Sequence, residues 1–84
     1  MNIMDRDYIL KLSNCSKKSM QDIYNVLNSY CLEHGKSQDK IDAFISASIK
    51  NGEYYIYFTE ALDYYRRKFN ICQLIDNNKV IMYC

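Results

Sequence analysis

The sequence predicts an α/β (α+β) domain, with a mixed sheet, helices packed on one face and the order β-α-α-β-α-β-β. Three observations lead there. Residues 8–12 and 54–58 alternate with period 2, as half-buried strands do. The stretches between and after them carry apolar residues at helical spacing. The tail, 71–84, holds two apolar runs around Asp76-Asn77-Asn78-Lys79, and Asn tolerates the positive φ of a tight hairpin turn.

Each element has its own warrant. In the first strand Tyr8, Leu10 and Leu12 share one face, and Ile9 and Lys11 take the other. Ser16 or Ser19 caps the first helix, whose stripe is Met20, Ile23, Leu27 and Tyr30/Cys31. Gly35 ends it, because glycine enters the left-handed region cheaply. Ser37 caps the second helix, with a stripe of Ile41, Phe44, Ile45, Ser48 and Ile49 and with Ala43 and Ala47 at its edge. Asn51-Gly52 stops it. The second strand presents Tyr54, Ile56 and Phe58 on one face and Tyr55 and Tyr57 on the other. Thr59 caps a third helix, with Glu60 and Asp63 at its positive dipole end and Arg66, Arg67 and Lys68 at its negative one. Two helices between the first two strands permit a right-handed crossover with those strands parallel.

Length and charge exclude several classes. Eighty-four residues form a single domain, 1–84, with a thin core. At 49% hydrophobic and 25% charged the chain is globular in composition rather than disordered. A net charge of +1 excludes a basic nucleic-acid coat and an acidic DNA mimic. No unbroken apolar run exceeds the five residues of 54–58, far too few to span a bilayer, and the acidic, polar N-terminus lacks the apolar stretch of a signal peptide. A cytoplasmic chain without membrane contact is expected, its cysteines thiols. The richness in Asn, Lys, Ile and Tyr, without Pro or Trp, is the composition of an AT-rich genome.

Catalytic and metal chemistry find little support. Cys15, Cys31, Cys72 and Cys84 form no CxxC pair, and Cys31-Leu32-Glu33-His34 is only half of a zinc site. A Cys31–His34 pair has no glycine-rich elbow or oxyanion loop beside it; the whole chain has two glycines. The pairs Asp5/Asp7, Asp39/Asp42 and Glu60/Asp63 fall where solvated carboxylates are expected. No catalytic residue, no metal and no cofactor are therefore expected.

The richest surface chemistry lies in residues 54–69, with five of the nine tyrosines and the only three-residue basic run. Tyrosine and arginine combine contact area with a polar handle, so Tyr55, Tyr57, Tyr64, Arg66 and Arg67 are the expected partner-binding residues. The same residues could stack bases and grip phosphates, which leaves nucleic acid as an alternative partner. A homodimer contact through these rings is also open.

Two fragments carry a resemblance. Asp7-Tyr8-Ile9-Leu10-Lys11-Leu12-Ser13, and Phe44-Ile45-Ser46-Ala47 with Lys50-Asn51-Gly52, resemble stretches of small phage-encoded anti-CRISPR proteins that inhibit Cas9. Those inhibitors are strongly acidic and occupy the DNA-binding surface of their target. This chain is near neutral, so no functional residue carries over. The resemblance implies a phage or mobile-element protein that binds a host protein stoichiometrically. The expected function is thus a small non-catalytic binding protein acting by stoichiometric protein–protein contact on a host protein or complex, as an inhibitor of a host defence (CRISPR-Cas) or regulatory protein. The alternative is a small nucleic-acid-binding protein with a Tyr/Arg surface.

Overall fold

The computed structural model describes residues 4–15, 17–71, 74–76 and 79–82. Among them the chain forms four helices, α1 (Arg6–Ser13), α2 (Met20–Glu33), α3 (Gln38–Asn51) and α4 (Tyr54–Lys68), followed by a short antiparallel pair, β1 (Leu74–Asp76) and β2 (Lys79–Met82). Asp76 stands opposite Lys79, and a bulge falls between Leu74 and Ile75. This ribbon pairs with no third strand among the described residues. Asn77 and Asn78, the expected turn, lie outside the described residues, as does Ser16.

The expected α/β class is therefore corrected. Residues 8–12 and 54–58, read as the first two strands, are helical, and the domain is helix packed on helix. Among the described residues no mixed sheet underlies the helices. The reason is that short apolar runs satisfy a period of 2 and of 3.6 equally well over five residues. For the first run Asp5 decides: its carboxylate accepts from the Tyr8 amide at 2.8 Å and caps α1. Ile9 and Leu12, three residues apart, then face inward, so Ile9 is buried on what the strand reading made the outer side.

In the second run the deciding stripe extends past the run itself. Phe58, Ala61, Tyr65 and Phe69 recur at helical spacing, and the first three are at most 1% exposed. The segment 54–59 consists of aromatic and β-branched residues, each costing roughly 0.5 kcal/mol in a helix relative to alanine, about 3 kcal/mol together. Burying Phe58 and Tyr65 returns about 1.5–3 kcal/mol each, enough to offset that cost. Thr59, expected as a cap, lies inside α4 and donates its hydroxyl hydrogen to the Tyr55 carbonyl at 2.8 Å.

The boundaries of α2 and α3 follow local chemistry. Ser19 caps α2: its Oγ accepts from the Asp22 amide and donates to the Asp22 carboxylate. Ser37 sits at the cap position of α3 without a side-chain bond. Gly35 and Gly52 close the two helices in the left-handed region, at φ 82° and 74°. Gly52 thus turns the chain directly from α3 into α4.

The core is shared by all four helices. α4 packs against each of the other three, and α2 also against α3. Ile9 and Leu12, Ile23, Val26, Leu27 and Cys31, Ile41 and Ile45 meet Phe58, Ala61 and Tyr65, with Met4 and Ile71 closing the ends. Polar ties join the helices at the margin: Tyr8 donates to Asp22 at 2.7 Å, Tyr24 to Asp42 at 3.1 Å and Tyr65 to Ser29 at 2.7 Å.

Two substitutions test this packing. Leu27→Ala, at a position 1% exposed, is expected to cost about 2–5 kcal/mol, read as a lower denaturation midpoint by far-ultraviolet circular dichroism. Gly52→Ala opens no cavity and meets no neighbour within 4 Å, yet it should cost about 1 kcal/mol through the left-handed backbone alone. A Gly52→Ala melt identical to the parent would refute the α3–α4 turn.

Candidate functional site

The helical geometry of α4 separates the residues that a strand would have grouped. Successive side chains turn by about 100°, so Tyr55 and Tyr57 lie about 200° apart instead of on one face. Tyr57 is half-buried, its ring edge-on to Phe44 at 4.9 Å, in the contact with α3. Tyr64 is half-buried too, in a ring cluster with Tyr30 (5.2 Å), His34 (5.3 Å) and Tyr65 (5.1 Å). Arg66, expected at the surface, is 4% exposed, and its backbone carbonyl accepts from the Ile71 amide at 2.8 Å. Arg67 is exposed and pairs with Asp63 at 3.0 Å, one turn back.

Only Tyr55 and Arg67 of the five are thus clearly outward. Two further exposed residues were not expected. Ile56, assigned to the core face of a strand, is 62% exposed, more than Tyr55 at 54%. The signal for it was present: a helical count from Phe58 through Ala61 and Tyr65 puts Ile56 off the apolar stripe. Ile49, read as part of the α3 stripe, is also exposed.

Two clefts border α4. The first, about 450 Å³, lies between the end of α1 and α4, with Ser13 and Lys18 on one side and Tyr55, Phe58, Leu62 and Arg66 on the other. Its walls are largely apolar. Thr59, Glu60 and Asp63 line it as well. Lys18 donates to the Cys15 carbonyl at 2.8 Å, which holds the α1–α2 loop beside this cleft.

The second cleft, about 630 Å³, runs between Tyr30 of α2 and Glu60, Asp63, Tyr64, Arg67 and Lys68 of α4. Two ion pairs form at it: Arg67 holds Asp63, and Lys68 binds Glu33. The Lys68 ammonium also lies about 6 Å from the ring centres of Tyr64, Tyr65 and Phe69, where it meets their negative faces. The His34 Nδ1 is 2.7 Å from the Tyr30 carbonyl and its ring is 4.4 Å from that of Tyr30. These groups tie the end of α2 to the end of α4.

Ionisation follows these contacts. Burial pushes the Glu33 carboxyl up, but the hydrogen bond from Lys68, with Tyr65 and the charges of Lys68 and His34, outweighs it and leaves the group below the usual range. The Lys68 ammonium is held above its ordinary value, mainly by its bond to Glu33. The Tyr8 hydrogen bond is the main cause that depresses Asp22. Burial raises the phenols of Tyr8, Tyr24 and Tyr65 and the thiol of Cys31.

Among the described residues no three His, Cys, Asp or Glu side chains come together as metal ligands. Cys31 is buried, and Cys15 is exposed with its thiol donating to the Lys17 carbonyl. Cys72 and Cys84 lie outside the described residues. No helix among the described residues is long and apolar enough to cross a membrane. Comparison with family models, with curated proteins and with solved structures finds no match to this chain.

The depressed carboxyls set an acid limb. Glu33 and Asp22 have folded values below their unfolded ones, so their stabilisation is present above the ordinary carboxylate range and fades as pH falls through it. The raised phenols and Lys68 act oppositely, losing stability as pH rises past about 10. Thermal melts should show Glu33→Gln and Asp22→Asn each flattening the acid limb. An acid limb as steep in the double variant as in the parent would contradict these pairings.

The inward and outward residues of α4 should also separate in a stability scan. Tyr55→Ala, Ile56→Ala and Arg67→Ala are expected to shift stability by about 0.5 kcal/mol or less. Arg66→Ala, at a buried charged position, should cost about 1–3 kcal/mol.

Proposed function

We propose that this protein is a non-catalytic binding protein acting by stoichiometric protein–protein contact, a phage or mobile-element inhibitor of a host defence (CRISPR-Cas) or regulatory protein. The observation that carries the binding role is the start of α4. There Tyr55 and Ile56 expose more than half their surface, and Tyr55 borders the apolar cleft that ends at Phe58, Leu62 and Arg66. Large apolar side chains held on a rigid helix beside a cleft lose little conformational freedom on binding, and aromatic anchors of this kind dominate interface energies. The phage or mobile-element origin rests on the AT-rich composition and on the two fragments that resemble anti-CRISPR proteins.

A protein partner suits this surface better than nucleic acid. Tyr57 and Tyr64 share one flank of α4, but both rings are half-buried against Phe44, Tyr30 and His34, and Tyr55 lies on another side, so the three form no open stacking platform. Of the two arginines expected to meet phosphates, Arg66 is buried and Arg67 is paired with Asp63.

Affinity capture with the full chain from lysates of low-GC bacteria, identified by mass spectrometry, tests the reading, and a purified Cas9–guide RNA complex tests its narrower form. Binding at one to one should survive about 0.5 M salt and nuclease treatment, because an apolar interface releases few counterions. Tyr55→Ala or Ile56→Asp should weaken it by about tenfold or more while the fold persists. Nuclease-sensitive retention that collapses with salt would replace the proposal with nucleic-acid binding. Unchanged affinity in both variants would remove the contact from α4.

A further inference from the structure

We draw no further inference here: the strongest candidate, the apolar cleft of about 450 Å³ between the end of α1 and α4, belongs to the surface already described, and nothing in the structure shows what ligand covers it.

Discussion

The buried stripe of α4, Phe58, Ala61 and Tyr65, is the constraint on which the rest of the domain depends. α4 packs against all three other helices, and its inner face is where their separate apolar stripes meet. Tyr65 makes the demand most specific. Its ring is fully buried and stacks on Phe69, while its hydroxyl reaches Ser29 of α2 at 2.7 Å. A buried phenol without a partner is costly, so the packing of α2 on α4 is favoured in the register that brings Ser29 and Glu33 to the Tyr65 hydroxyl. The Glu33–Lys68 pair, nearer solvent, fits the same register.

That register distributes the remaining side chains of α4. With Phe58, Ala61 and Tyr65 inward, Tyr57 and Tyr64 fall to one flank, where Phe44, Tyr30 and His34 receive them. Leu62 and Arg66 fall to the other flank, against the cleft by α1. The arc left to solvent carries Tyr55, Ile56, Thr59, Glu60, Asp63 and Arg67. Most of this arc is polar. Its apolar end, Tyr55 and Ile56, stands out because nothing in the helix packing accounts for its exposure. A surface that small domains ordinarily fill with charge here presents a ring and a branched chain beside a cleft. The Tyr- and Arg-rich composition of 54–69 therefore serves two ends. Most of it builds the core and its margins, and a minority remains available for contact.

Local chemistry made several features legible before any packing was known. The cap of α2, narrowed by sequence to Ser16 or Ser19, the left-handed glycines at 35 and 52 and the stripes through Ile23 and Leu27 and through Ile41 and Ile45 depend on residues a few positions apart. Their energies are settled within a turn or two of helix, so sequence spacing is enough to read them. The antiparallel pair with Asp76 opposite Lys79 is local in the same sense. The exposure of individual side chains in 54–69 is legible only in kind. Of the residues expected at the surface, Tyr55 and Arg67 are exposed and Arg66 is buried, while Ile56, expected on a core face, is exposed.

By itself, then, the sequence determined where helices α2 and α3 begin and end, which of their faces is apolar, and that aromatic and basic residues concentrate in 54–69. Only the tertiary structure decided that residues 8–12 and 54–58 are helical and which of their side chains are buried. The physical reason is that both runs have intrinsic preferences near balance or against the helix. Their outcome rests on long-range burial of Ile9, Leu12, Phe58 and Tyr65 against partners far along the chain. A pattern five residues long contains no information about those partners. Once they are in place, the 3.6-residue repeat of α4, rather than the alternation of a strand, decides which tyrosines and arginines meet solvent.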